Sequence, residues 1–418
     1  MQIFKFGGAS VKDADAIRNV AKILGDYKDH NLVLVISAMG KTTNALEKLC
    51  LEYFNKQNFQ GSYDSVRDYH YSIAKELFPD KNHKVYTEIN NLFVELDWIL
   101  EEEPNQEFDF IYDQIVSLGE LLSSKTLSAY LNEAGIRNRW EDVRNCIKTD
   151  NTYREGKVDW DHTITETRSG INFSSDSIIV TQGFIGSTSE NYTTTLGREG
   201  SDYTAAILAY ALDAEKVVIW KDVPGVLNAD PKWYKNTVKM EQMSYYDAIE
   251  LAYYGASVIH PKTIKPLQNK NIPLYVKSFL APKERGTIIS EKSQTEPLIP
   301  SFIFKSNQVL LSISAKDFSF IVEENIGHIF KVFAELGVKV NLMQNSAISF
   351  SVCIDHPEYL NSLIDHLKKE YKVLFNDKLE LFTIRHYDQK TIDFISEGKE
   401  ILVEQKSRHT VQLVVKNS

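Results

Sequence analysis

Three groups of residues in this chain have the types and spacing to do chemistry. The first opens the sequence, where Lys5-Phe6-Gly7-Gly8-Ala9-Ser10 turns a short apolar run into paired glycines and a hydroxyl. Paired glycines let backbone N–H groups approach an anion with no Cβ in the way. The N-terminus of the helix that follows adds donors and a favourable dipole, and Lys5 adds a full positive charge. Taken alone, the stretch is equally compatible with an ordinary strand–loop–helix start and a surface lysine. The second group is Thr193-Thr194-Thr195-Leu196-Gly197-Arg198-Glu199-Gly200-Ser201-Asp202, an arginine between glycines ahead of a helix through Ala205, Ala206, Leu208 and Ala209. An arginine fork matches a carboxylate bidentately, whereas Ser201 or Asp202 could simply cap the helix. The third is Ser117-Leu118-Gly119-Glu120, within an expected amphipathic helix over Asp113–Leu131. A glutamate there points to solvent by default.

Two cationic glycine loops with hydroxyls and a few carboxylates suit transfer of a phosphoryl group to an acid. That reaction brings two anions together, with a repulsion of about 4 kcal/mol at about 4 Å and an effective dielectric near 20. Lys5 and a nucleotide-borne Mg²⁺ could offset it, since positioning and charge stabilisation dominate phosphoryl transfer. A carboxylate acceptor is already ionised at neutral pH and needs no general base. The absence of a His/Asp pair in these blocks agrees with that. Gly40-Lys41-Thr42 does not complete a P-loop, because the first glycine of that motif would fall on Val35. The hydroxyls of Thr42 and Thr43 are ligand contacts or helix caps on equal terms. His260 has no ligand-spaced partner and reads as structural, and no metal-ligand cluster is expected.

The elements that must position these residues begin as strand, loop, helix, strand, loop, helix, which is a βαβα start and an α/β domain. Leu32–Ile36 is a continuous apolar run, as in a strand buried on both faces of a parallel sheet. Ser37-Ala38-Met39-Gly40-Lys41-Thr42-Thr43-Asn44 follows it, at the carboxyl end where ligands of such sheets sit. The stretch from Asn55 to Phe110 has helical spacing in Val85, Ile89, Leu92, Phe93 and Leu96 and shows no chemistry. Ile178–Val180, Val217–Trp220 and Ile272–Val276 are further strands. Two turns follow the second of these, Lys221-Asp222-Val223-Pro224-Gly225 and Asn228-Ala229-Asp230-Pro231-Lys232. Ser278–Pro300 reads as a boundary. Beyond it, Val309–Ile313, Ile326–Leu336, Val338–Leu342, Ile348–Ile354, Tyr359–Tyr371 and Lys372–Phe375 follow a βαββαβ order, the ferredoxin-like split pattern. A partial echo over Leu379–Val415 lacks a second helix.

With 418 residues the chain should hold two or three domains. Its net charge of −10, from 47 basic and 57 acidic residues, argues against a broad nucleic-acid or anionic-membrane footprint. Cys50, Cys146 and Cys353 are isolated, which points to a reducing compartment. No apolar run is long enough to span a bilayer and no leader pattern precedes the first strand. The expectation is a cytoplasmic protein.

Taken in order, Lys5–Ser10, Ser37–Asn44, Ser117–Glu120, Gly197–Asp202 and Trp220–Gly225 resemble the aspartokinases of the amino-acid kinase superfamily. The resemblance implies a three-layer αβα kinase domain with a mainly parallel sheet over 1–290. It also implies α+β ferredoxin-like ACT units, a first at 301–378 and a truncated second at 379–418. It implies ATP with Mg²⁺ and L-aspartate as substrates, 4-phospho-L-aspartate as product, and a homodimer through the ACT units. By the family pattern Lys5 neutralises the moving phosphoryl group, with Gly7, Gly8 and Ser10 around it. Arg198 holds the α-carboxylate of aspartate, Glu120 and Asp202 face its ammonium, and Thr43 and Ser201 supply hydroxyls. Lys221, Asp222, Leu227, Lys232 and Ser257 fall where the family binds ATP. Ala9 stands where a threonine is usual, Leu227 where a tyrosine is common, Ser257 where many members have lysine, and Asn341 where an aspartate is common. Which of lysine, threonine or methionine controls the chain, if any, is left open. A kinase of the same superfamily acting on another acid, or a non-catalytic ACT sensor, are the alternatives.

Overall fold

The computed structural model describes residues 1–28, 30–174, 176–256, 259–291, 298–317 and 319–417. Its strands are β1 (Gln2–Phe6), β2 (Leu32–Ile36), β3 (Arg139–Trp140), β4 (Ile178–Gln182), β5 (Ile185–Ser187), β6 (Thr193–Thr195), β7 (Lys216–Lys221) and β8 (Gln242–Ser244). They continue with β9 (Leu274–Ser278), β10 (Thr287–Ser290), β11 (Ser301–Ala315), β12 (Val340–Asn345), β13 (Ser349–Asp355), β14 (Tyr371–Arg385), β15 (Lys399–Lys406) and β16 (Thr410–Asn417). The helices are α1 (Ala14–Leu24), α2 (Thr42–Phe54), α3 (Gln60–Leu77), α4 (Lys84–Glu101), α5 (Phe108–Val116), α6 (Leu118–Glu133) and α7 (Val143–Cys146). They continue with α8 (Trp160–Gly170), α9 (Gly200–Ala211), α10 (Tyr245–Tyr254), α11 (Pro261–Asn269), α12 (Glu323–Glu335), α13 (Leu360–Lys368) and α14 (Gln389–Ser396). Among the described residues no helix is long and apolar enough to cross a membrane.

Two compact units divide the chain. The first takes in Met1–Val226, Lys239–Ala252 and Ser257–Thr295 and is built on an eight-stranded sheet ordered β3-β4-β2-β1-β7-β9-β10-β8. From β3 to β9 neighbouring strands run parallel, and β10 is antiparallel to β9. All five residues of β2 are buried, as a strand covered on both faces requires. From β1 the chain moves to β2 on one side and returns with β7 on the other. The switch in direction falls at β1, where open α/β sheets leave a crevice at the strands' carboxyl ends.

The helix expected over Asp113–Leu131 is two helices, α5 and α6, broken at Ser117. Nor is α6 amphipathic: Leu118–Ser124 and Thr126–Ala129 are buried all round. The cause is tertiary. One side of α6 packs on β2 and β4 and the other meets α3 and α4, so the helical excursion roofs it.

The second unit comprises Leu227–Val238, Tyr253–Ala256 and Glu296–Ser418, on an antiparallel sheet ordered β12-β13-β11-β14-β16-β15. The expected division at 378/379 falls inside β14. Both β11 and β14 run for 15 residues, with pairing irregularities between Lys305 and Leu310. The first part of β11, Ser301–Lys305, pairs with Leu381–Arg385, and its later part pairs with the start of β14. One face carries two separate apolar cores. Val309, Leu311 and Ile313 pack with α12 and α13, while Phe302, Phe382, Ile384, Val411 and Leu413 pack with Ile392 and Ile395 of α14. Leu310, Cys353, Leu379, Leu381, Val403 and Val414 form a third core on the opposite face. The missing second helix of the C-terminal echo has a substitute in Leu227–Val238: Ala229, Trp233 and Tyr234 join the α14 core. Trp233 meets Phe304 at 5.2 Å and Phe382 at 6.0 Å between ring centroids.

Trp233→Ala is therefore expected to weaken that core by about 3 kcal/mol. Amide exchange in β14 and β16 should accelerate roughly 100-fold while β1 and β2 keep their protection. Unchanged exchange in β16 would contradict the substitute role.

Candidate active site

Loops after β1, β2, β4 and β7 converge with the start of α9 on one cleft of about 960 Å³. Lys5, Gly7, Gly8, Ser10, Thr43, Glu120, Arg198, Ser201, Asp202, Lys221 and Asp222 all line it. Ala9, where the resemblance notes a lost threonine, lines it too. Leu227 and Lys232 are not among its lining residues; their segment is part of the second unit. Ser257 lies outside the described residues.

An ion pair stands at the centre. Lys5 Nζ is 2.6 Å from Asp202 Oδ1, and Lys221 Nζ is 3.8 Å from Asp202 Oδ2. The side chains of Lys5 and Asp202 are 11% and 4% exposed, so both ions are largely removed from water. Burial works against the Asp202 charge, yet Lys5 and then Lys221 more than offset it and hold the carboxyl below its ordinary range. Lys5 and Lys221 come from adjacent strands in parallel register, with Lys5 opposite Ile219. Asp202 sits in the first turn of α9, whose N-terminal dipole favours negative charge in the cleft. The cap position is held by Glu199, in the left-handed region at φ 54°, rather than by Ser201 or Asp202.

Gly8 lines the cleft and has a packing reason to be glycine as well. A Cβ on Gly8 would lie 2.8 Å from the carbonyls of both Ala38 and Gly40. Gly40 N–H donates to Gly8 O at 3.0 Å, and Ser37 N–H to Phe6 O at 3.1 Å. Gly8 thus lets the β1 and β2 loops lie against each other. Gly7 faces the cleft, with Lys5 Nζ 3.4 Å from where its Cβ would be. The Ser10 hydroxyl is buried and has no hydrogen-bond partner among the described residues. Thr42 turns inward and donates to Met39 O at 2.7 Å, leaving the next residue, Thr43, to line the cleft.

Glu120 does not point to solvent. It is 2% exposed, its Oε1 accepts from Ala38 N–H at 3.3 Å, and its Oε2 has no partner among the described residues. Burial pushes the carboxyl up to about 8, against the opposing pull of the Ala38 N–H, its own backbone N–H and the Lys5 charge. Burial thus favours the neutral form of Glu120 at neutral pH, and its second oxygen has no protein partner among the described residues. Arg198 is exposed and lines the cleft beside Gly197, which has φ 76°.

Residues given no role in the sequence also line the cleft: Tyr112, Arg154, Glu155 and Phe184, with Thr195 and Trp220 from the blocks named above. Phe184 lies just after β4 and was within reach on that ground. Arg154-Glu155 sits in a polar stretch whose sole signal is a charged pair before Gly156. Arg154 lies 4.3 Å from the Tyr112 ring and pairs at 3.4 Å with Glu47.

Residues 1–278 match the amino acid kinase family. The lysine-sensitive aspartokinase 3 of Escherichia coli is 32% identical over 362 residues, covering 84% of this chain and 78% of that protein. The chain spans 66% of the chloroplastic aspartokinase 1 of Arabidopsis thaliana, at 31% identity. Among solved structures, E. coli aspartokinase III with lysine and aspartate superposes with a TM-score of 0.84 at 28% identity, covering 99% of this chain and 96% of that one. The same enzyme with aspartate and ADP gives 0.80 at 28% identity over the same shares.

A carboxyl whose pKa is raised by folding supports the fold fully below its unfolded value and loses that support as pH rises through the folded one. Glu120 should thus destabilise the chain progressively from about pH 4.5 to about pH 8. Glu120→Gln is expected to melt higher than the native chain, by a margin that grows from pH 5 to about pH 8 and levels off above it. A pH-independent margin in thermal denaturation would contradict the buried, protonated state.

Proposed function

The chain belongs to the amino acid kinase family and within it to the aspartokinases, and from that premise we propose that it phosphorylates the β-carboxylate of L-aspartate with ATP. The observation that carries the reading is one cleft lined by the Lys5–Asp202–Lys221 ion cluster together with Arg198 and Glu120. A phosphoryl donor and an amino-acid acceptor need those charges in one site.

Arg198 takes the α-carboxylate of aspartate, for which its exposed fork is suited. Glu120 takes the ammonium through the oxygen it leaves unused. Thr43 and Ser201 lie on the same cleft and add hydroxyl contacts. The β-carboxylate oxygen then attacks the γ-phosphorus. The new O–P bond forms as the bond from that phosphorus to the β–γ bridging oxygen breaks, and ADP leaves with the electron pair. Lys5 neutralises the moving group and thereby lowers a repulsion of about 4 kcal/mol. Asp202 serves Lys5 rather than the ammonium, because its carboxylate is committed to Lys5 and Lys221. Gly7, Gly8 and Ser10 border the phosphates, and Lys221 with Asp222 borders the nucleotide. Leu227, Lys232 and Ser257 keep their nucleotide roles only by family pattern.

Mg²⁺ fits as an ion carried on the nucleotide, since the Asp202 carboxylate is already paired with lysines and Asp222, exposed on the cleft, is the carboxylate that would be available to such an ion. When bound it would neutralise phosphate charge. A second copy is proposed to join through the ACT-like unit. There β12 ends the hydrogen-bonded sheet order and exposes Met343, with Ile348 exposed just beyond it.

Purified protein should release ADP in the presence of L-aspartate and MgATP and yield aspartyl hydroxamate with hydroxylamine. Turnover with a different acid and none with aspartate would replace the reading. Lys5→Ala should lower kcat about 10²–10³-fold. Arg198→Ala should raise the aspartate KM roughly 30–300-fold and leave the ATP KM nearly unchanged. An ammonium beside Glu120 favours its ionised form, so aspartate binding expels a proton below the raised pKa. The aspartate KM should fall as pH rises from 6 to about 8 and level off above it, and Glu120→Gln should flatten that profile.

A further inference from the structure

Behind the wall of the cleft lies a fully buried carboxylate that the mechanism above does not use. Asp113, on α5, is 0% exposed and does not line the cleft. Its Oδ2 accepts from Thr195 N–H and from Arg154 N–H, each at 2.9 Å, and its Oδ1 accepts from the Thr195 hydroxyl at 2.8 Å. Three donors from two separate chain segments thus end on one side chain.

Both segments carry cleft-lining residues. Thr195 ends β6, two residues before Gly197 and three before Arg198. Arg154 and Glu155 form the neighbouring turn. Gly156 N–H donates to Thr195 O at 2.8 Å, which ties the turn to the strand. A Cβ on Gly197 would lie 3.1 Å from Glu155 Cγ and 3.3 Å from Arg154 O, so the turn packs directly on the glycine that precedes Arg198. Arg154 is a non-glycine residue held at φ 65°, a conformation that costs energy unless the surroundings impose it. The bond from its N–H to Asp113 is such an imposition.

From this geometry we infer that Asp113 is a positioning residue for the acceptor end of the cleft, fixing the Arg154–Gly156 turn and the Thr195–Arg198 strand end in mutual register. The inference rests on the reading of Arg198 as the acceptor's carboxylate partner. Removal of the carboxylate leaves one buried and one part-buried N–H group unpaired and frees the turn to relax out of its left-handed conformation. Asparagine is the conservative replacement. Its oxygen can serve both N–H groups while its amide donates to Thr195 Oγ1.

Steady-state kinetics with L-aspartate and MgATP on the full chain test this. Asp113→Ala should raise the aspartate KM at least tenfold, with kcat within about threefold and the ATP KM within about twofold of native values. Asp113→Asn should restore the aspartate KM to within about threefold. Where the alanine variant does not fold, Thr195→Val carries the test, with the aspartate KM raised several-fold and the ATP KM unmoved. An unchanged aspartate KM in folded variants overturns the inference, as does an equal rise in both KM values. If the native chain itself does not turn over aspartate, the functional reading falls instead, and that result is seen before any variant is made.

Discussion

The buried pair of Lys5 and Asp202 is the constraint on which the site depends. Each ion alone would be costly out of water, and loss of one partner would leave an uncompensated charge in a low-dielectric setting. Held together, with Lys221 on the far oxygen, they keep a cation at the end of the central strand of a chain whose net charge is −10. That placement fixes much else. The β1 loop must pass close to the β2 loop, which Gly8 permits. The start of α9 must face the end of β1, which puts Arg198 and Ser201 on the same cleft.

Glu120 answers to a different cost. It lies on α6, which α3 and α4 cover, and its burial raises the carboxyl in spite of the Lys5 charge. A carboxyl that burial keeps neutral and an ammonium would ionise avoids a standing desolvation penalty and still offers that ammonium a partner. The helical excursion, which shows no chemistry of its own, acts through this burial.

Much of this was legible from residue order. The apolar runs of β2, β4 and β7 and the glycine breaks after β1 and before α9 announced a parallel sheet with a ligand crevice at the strands' carboxyl ends. Lys5, Arg198 and Asp202 stood out because charged groups beside glycines at strand ends can meet an anion, although a surface lysine or a helix cap would look the same. What was not legible depends on tertiary contacts. The burial of Glu120 follows from helices distant in sequence, and the break at Ser117 has no proline or glycine at that residue to mark it. The continuity of β11 and β14 was hidden because each strand serves two cores. Its apolar pattern therefore changes midway, and the shortened second ACT unit read as truncated. Nor did residue order show that Leu227–Val238 packs with that second unit through Ala229, Trp233 and Tyr234.

The central claim is that the β-carboxylate of aspartate is the phosphoryl acceptor. It is tested most directly with L-aspartate carrying ¹⁸O in that carboxylate, MgATP and hydroxylamine, followed by ³¹P NMR of the phosphate released on hydroxamate formation. Hydroxylamine attacks the carbonyl carbon, so the bridging oxygen stays with phosphorus. The account predicts phosphate bearing one ¹⁸O for each hydroxamate formed. Unlabelled phosphate, from transfer to water or to the α-carboxylate, would contradict it.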